Sequence, residues 1–233
     1  MPCTLPASLA DAAVCRGSFH AVLGGEAGEA LFADFSAALQ KAQAEGRILT
    51  ASLFRYENQL FFYAEGLNRP FTPQGLCPAL DAALLPWPPA LGETAPRPWA
   101  AMQPYFYHDV PTTAADWQQG RCPQRRRGRI ALLPPDKWCS YMEHHLRIVT
   151  EGLVEGDRWH LICVQEGVLF SYLEEPRTNV NIRHKPGAHS PELDAWIAAD
   201  PESHFARFTP EQKAHPDSGH NFVFLPRIAG TED

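Results

Sequence analysis

The stretch Ser140–Val149, SYMEHHLRIV, holds the most chemically suggestive spacing in the chain: Tyr141 and His145 stand four residues apart, with His144 beside the second. On a helix, residues i and i+4 share a face, while consecutive residues diverge by roughly 100°. Tyr141 and His145 can therefore meet one ligand, and His144 is expected to look into solvent. An imidazole with an ordinary pKa of ~6.5 gives or takes a proton near neutrality, which makes His145 the candidate acid–base residue. Aromatic walls for a ligand are expected from Tyr141, Trp159, Tyr172 and Trp99. Other chemistry is less well supported. His160, His184, His189, His204, His215 and His220 show no HExxH or comparable ligand spacing, and no cysteine pair assists them, so neither a metal nor another cofactor is expected. Cys163 reads as a small strand hydrophobe, and GGEAGE (Gly24–Glu29) as a turn opening a helix, since its counterpart further on is PPDK.

The elements that must position these residues are written twice. FRYENQLFFYAE (54–65) aligns with CVQEGVLFSYLE (163–174) at an offset of 163 − 54 = 109, FHAVL (19–23) stands opposite RIALL (129–133), and PALDAALL (78–85) opposite PELDAWIA (191–198). Each half reads strand, helix, strand, strand, helix, strand. The helices are expected to bury stripes at Leu31, Phe35, Ala38 and Ala42, and at Met142, Leu146, Val149 and Leu153. The fold class is therefore α+β, two tandem ferredoxin-like βαββαβ modules at 1–109 and 127–233 joined by a linker at 110–126. A sheet covered by helices on one face leaves the other to be buried, so the two modules are expected to face each other through Phe54, Phe61, Tyr63 and Glu65 on one side and Trp159, Leu161, Cys163, Phe170, Tyr172 and Glu174 on the other. Glu65 and Glu174 are expected near strand ends, reaching solvent.

Composition narrows the function. The 233 residues are 45% hydrophobic and 20% charged, with a formal charge of −7 and no apolar run long enough to span a bilayer. No nucleic-acid partner and no membrane are expected, because phosphate affinity needs clustered cations and the one basic run, Arg125, Arg126, Arg127 and Arg129, reads as a solvated linker edge. Six cysteines without a CxxC pair, and a start lacking a basic, apolar leader pattern, point to a cytoplasmic setting.

The second half resembles the L-rhamnose mutarotases, ferredoxin-like proteins that form dimeric α/β barrels. The resemblance rests on RIALL, on Tyr141 and His145, on Glu151, on LFSYLE and on Ala198–Pro201, with RPWAAMQPYF (Arg97–Phe106) as a complementary piece in the first half. It implies an intramolecular dimeric α/β barrel, a monosaccharide as the small-molecule partner, and isomerase chemistry at the sugar hemiacetal with His145 as acid–base residue. Water, Tyr172 or a carboxylate would serve as its partner. The fused pair could associate again as a homodimer. Cys163 and Pro98 stand at family aromatic positions, and the place opposite His145 in the first half is Phe35 or Ser36, so at most one half keeps the acid–base group. Two other readings compete. One is a sugar or small-molecule binding module without turnover; the other, by fold analogy, is a cofactor-free monooxygenase or haem-binding protein. Whether His145 points into the inter-sheet cavity near Tyr172 and an aromatic wall separates the mutarotase from the binding module, and the third reading requires room for a flat polycyclic ligand faced by a histidine.

Overall fold

The computed structural model describes residues 6–179, 182–212 and 221–231; His215 and His220 lie outside them. The elements are β1 (Val14–Val22), α1 (Glu29–Ala44), β2 (Ile48–Tyr56), β3 (Gln59–Leu67), α2 (Pro78–Ala83), β4 (Ala100–Ala101), β5 (Gln103–Tyr107), α3 (Ala114–Gln118), β6 (Arg125–Leu132), α4 (Pro135–Glu151), β7 (Val154–Glu155), β8 (Leu161–Gln165), β9 (Val168–Glu175), β10 (Arg183–His184), α5 (Pro191–Ala198), β11 (Val223–Leu225) and β12 (Arg227–Gly230). The class is α+β with antiparallel sheets. No helix among the described residues is long and apolar enough to cross a membrane.

The chain divides into two compact units, and neither is continuous in sequence. The first comprises the described residues of Met1–Met102, Pro111–Pro123 and Pro226–Asp233; the second comprises those of Gln103–Val110 and Gln124–Leu225. The first unit's sheet runs β12-β2-β3-β1-β4 and the second's β11-β6-β9-β8-β5. Ladder registers correspond between them: Arg16 stands opposite Glu65 and Phe19 opposite Phe62 in the first, Arg126 opposite Glu174 and Arg129 opposite Ser171 in the second. The second central hairpin closes on Glu166 (φ 48) and Gly167 (φ 79), a left-handed pair whose twist matches the flanking strands.

Helices cover one face of each sheet. In the first unit Phe35, Leu39 and Ala42 of α1 pack with Leu53, Phe62 and Trp99; in the second Tyr141 and Ile148 of α4 pack with Ala131, Leu133, Ile162 and Leu169. The buried stripe of α4 is Tyr141, His145 and Ile148, rotated by about one residue from the expected Met142–Leu146–Val149–Leu153 line, and Leu146 is 62% exposed. The aromatic Tyr141 and Trp196 fill more of the α4–α5 seam than the leucine would, so they set the helix rotation.

Three further expectations are corrected. Glu65 and Glu174 do not reach solvent, being 0% and 1% exposed. The segment expected to be a featureless linker contains α3, whose Trp117 is fully buried, and Arg121. The arginine run belongs to β6, where pleating sends Arg126 to the Glu174 side and Arg127 and Arg129 to the helix side.

These corrections meet at Glu65. Its carboxylate accepts bonds from Tyr63 Oη (2.6 Å), Trp117 Nε1 (3.0 Å) and both terminal nitrogens of Arg121 (2.7 and 3.0 Å). Burial pushes the carboxyl pKa up, but Arg121, Arg16 and the Tyr63 hydroxyl together hold it below the usual carboxylate range. Removing one partner of a buried pair leaves an uncompensated charge, so Glu65→Gln is expected to cost about 3–5 kcal/mol of unfolding free energy. Urea denaturation measures this; a loss under about 1 kcal/mol would show that the pair is no better than a surface bridge.

Candidate functional site

Helix α4 starts with Pro135 in its first turn and ends on Gly152 (φ 68), whose carbonyl accepts from Lys185 Nζ at 2.7 Å. Between these stops the helix holds His145 against the second sheet. The imidazole is 3% exposed and its Nδ1 lies 2.8 Å from the Tyr141 carbonyl. A carbonyl only accepts, so Nδ1 carries the proton and Nε2 the lone pair. The ring is enclosed by Phe106 and Trp196, each 4.7 Å away between centroids, by Tyr141 at 4.2 Å and by Tyr105 at 5.5 Å. Burial, chiefly, lowers its pKa to about 4. His145 is therefore neutral at pH 7.

This imidazole lines a cavity of about 440 Å³ inside the second unit, with Phe106, Tyr141, Trp196, Phe205 and Phe222 as apolar walls and His108, Arg129, Asp157 and Arg177 as polar groups. At the polar end Asp157, 1% exposed, accepts from Thr178 N (3.2 Å), Thr178 Oγ1 (2.9 Å) and Arg177 Nε (3.2 Å). The His108 ring lies against Gly156, where an added Cβ would stand 2.1 Å from Nε2, so a larger residue there would displace the imidazole. Burial lowers His108 to about 4 as well. Arg129 lays its guanidinium 4.3 Å from the Phe222 ring centre, and burial lowers it only to about 10, which leaves it cationic. Burial raises Tyr141 to about 12, so its hydroxyl stays protonated.

Of the expected site residues, Tyr141 and His145 come together here. Tyr172 does not: it alternates with Leu169, Ser171 and Leu173, projects to the opposite sheet face, and donates to Glu174 at 2.6 Å. Trp159 is buried in the turn before β8 and does not line the cavity. Trp99 belongs to the first unit's core, where its indole donates to Asp81 at 2.9 Å and stacks on Phe35. His144, expected in solvent, is half-buried, with its ring 5.3 Å from Trp196 and its Nδ1 shielded. It does not line the cavity.

The sequence reading passed over Arg129, Trp196, His108 and the Asp157–Arg177 pair. A signal for the first existed: Arg129 alternates with Ala131 and Leu133 on the core face, opposite Phe19 in the repeat. Trp196 likewise replaces the alanine of PALDAALL at the matching position.

No family model and no curated protein matches the chain. Solved structures similar to it include a candidate monooxygenase from Fusobacterium nucleatum (8% identity, 95% of each chain, TM-score 0.42). A second candidate monooxygenase, from Lactobacillus acidophilus, gives 7% identity over 94% of this chain and 96% of that one, with a TM-score of 0.40. An anthrone oxidase-like protein gives 8% identity, 94% and 92% coverage, and a TM-score of 0.38. The arrangement expected for mutarotation is missing, since Tyr172 and His145 occupy opposite faces of one sheet. The mutarotase reading is therefore withdrawn.

The depressed pKa has a sign that can be checked. An unfolded histidine takes up a proton near pH 6.5 and the folded His145 only near 4, so this residue leaves stability unchanged above about pH 6.5 and lowers it as pH falls toward 4, by about 3 kcal/mol in all. The difference in unfolding free energy between wild type and His145→Gln should follow that curve. A histidine signal for residue 145 titrating near 6.5 in NMR would contradict it.

Proposed function

We propose that the second unit is a cofactor-independent oxygenase module, in which His145 removes a proton from a flat, weakly acidic aromatic molecule, and that the chain is a tandem of two ferredoxin-like modules of which only this one is chemically active. The observation that carries the reading is the neutral imidazole, fixed through Nδ1 to the Tyr141 carbonyl, presenting its Nε2 lone pair inside an aromatic cavity. About 440 Å³ falls in the lower part of the range of small-molecule sites, roughly 300–1,000 Å³. Matched ladder registers and corresponding strand orders support the tandem.

The chemistry follows from the groups present. Nε2 takes a proton from an activated CH₂ whose carbanion delocalises into the ring system. The positive field of Arg129 at the same cavity favours the anion. The carbanion donates its electron pair to dissolved oxygen, forming a C–O bond. The peroxide takes a proton from the imidazolium, and the resulting hydroperoxide loses water to leave a carbonyl; one O₂ is consumed and one water released per CH₂ converted to C=O. A base with a pKa of about 4 is a weak one, and that observation favours a second reading, a binding module for the same ligand class without turnover.

Anthrone is a suitable probe, having an acidic CH₂ in a flat tricyclic frame. The enzyme reading expects oxygen uptake above the uncatalysed rate, stoichiometric anthraquinone, and a fall of ~10²–10⁴-fold in His145→Gln. The rate should stay level from pH 7 to 5 and drop through pH 4, because only the neutral imidazole accepts the proton. Anaerobic deuterium exchange at the CH₂ separates the proton step from the oxygen step. Binding without exchange or uptake would leave the module without turnover; an unchanged rate in His145→Gln would remove the base.

A further inference from the structure

Among the described residues Arg129 makes no ion pair, and Glu202 acts on it only from beyond ion-pair distance. No side-chain hydrogen bond among them involves it, and its Nε is shielded from solvent with no acceptor. The charged groups around it do not change this. Arg177, on the same cavity, is a second cation and gives its Nε to Asp157 at 3.2 Å; Glu202 also lines the cavity, but its carboxylate accepts from the Asn221 side chain and makes no ion pair with Arg129. The Phe222 ring covers one face of the guanidinium at 4.3 Å, which leaves its in-plane N–H donors for a partner.

The repeat supplies an internal control. The ladder position Arg129↔Ser171 of the second unit is Phe19↔Phe62 in the first, where the two rings lie 6.3 Å apart, Phe62 in the apolar core and Phe19 packed partly buried against it. A guanidinium and a hydroxyl replace two rings, which opens space and adds charge at one spot on the helix-covered face. Elsewhere the molecule saturates a buried charge, as Glu65 does with Tyr63, Trp117 and Arg121. Arg129 is half-buried with a shielded Nε and no ion pair among the described residues, so a ligand acceptor can complete it.

We propose that Arg129 recognises a planar carboxylate, so that the cavity takes aromatic carboxylates in preference to neutral aromatics. The carboxylate lies against the guanidinium, the ring system between Phe106 and Trp196, and the reacting carbon or hydroxyl toward His145 Nε2. This rests on the second-unit cavity being the ligand site and deepens that reading, but it is tested by binding alone and holds whether or not oxygen is consumed.

The probes are 2-naphthoate and its uncharged isostere 2-naphthamide, titrated calorimetrically into wild type, Arg129→Met and Arg129→Lys at pH 7. One charge-assisted pair should favour naphthoate over naphthamide by about 10–100-fold in wild type. Arg129→Met should abolish that preference without lowering the melting temperature, because Arg129 makes no ion pair among the described residues. Arg129→Lys should keep part of the preference. A purely structural arginine would give the reverse pattern, with a lower melting temperature in Arg129→Met and no change in ligand preference. Equal affinity for the two probes in wild type, or binding of neither, would overturn the proposal. Naphthoate has no acidic CH₂, so these results stand apart from any failure to turn over anthrone.

Discussion

A charge taken out of water must find its complement, and the two units meet this requirement differently. In the first, Glu65 is completely buried and satisfied four times over by side chains from β3, α3 and the turn that follows it. That single carboxylate explains why 111–123 belongs to the first unit: α3 and Arg121 are held there by the ion pair and by the buried Trp117 indole. The corresponding Glu174 keeps the tyrosine donor and sits 3.5 Å from Arg126. On the helix-covered face of the second sheet Arg129 makes no ion pair among the described residues, and its Nε has no acceptor. A cation without an ion pair beside a cavity is a position prepared for a ligand, whereas a saturated charge is structure.

The comparison of the two helix-covered faces carries the argument from packing to chemistry. The first unit places Phe35 and Phe62 around Trp99, with the Phe35 and Trp99 rings nearly parallel at 16°, and none of these three side chains can move a proton near neutral pH. The second unit places Arg129, His145 and Ser171 at the matching places, and a cavity results. Its histidine keeps one tautomer because a backbone carbonyl fixes Nδ1, and the same burial that makes it a weak base keeps it unprotonated across the physiological range. Positioning and electrostatics come from the same aromatic enclosure.

Much of this was legible in the chain. Alternation and the two tight turns gave the central hairpins, 3.6-residue spacing gave α1 and α4, and the Tyr141–His145 spacing gave the pair that shares a helix face. What escaped has physical causes. Period-2 patterning places residues on faces but does not say which face a tyrosine such as Tyr172 shares with a distant helix, and Tyr172 lies on the face opposite His145. The glutamates of β3 and β9 were placed in solvent because their compensating donors, Arg121 and Trp117 for one and Arg126 for the other, are remote in sequence or hidden in an apparent linker. Arg129 was masked by its basic neighbours: four arginines in five residues look like a solvated edge until strand pleating separates them.

The central claim is that the second unit's cavity, and not the equivalent core of the first, receives the ligand. Trp196 walls that cavity and Trp99 fills the first unit's core, so their indole N–H signals are natural reporters, assigned by Trp196→Phe and Trp99→Phe. Titration of the ¹⁵N-labelled protein with 2-naphthoate should move the Trp196 signal saturably and leave the Trp99 signal in place. A Trp99 shift with Trp196 unmoved, or no shift of either at saturating probe, would contradict the assignment of function to the second unit.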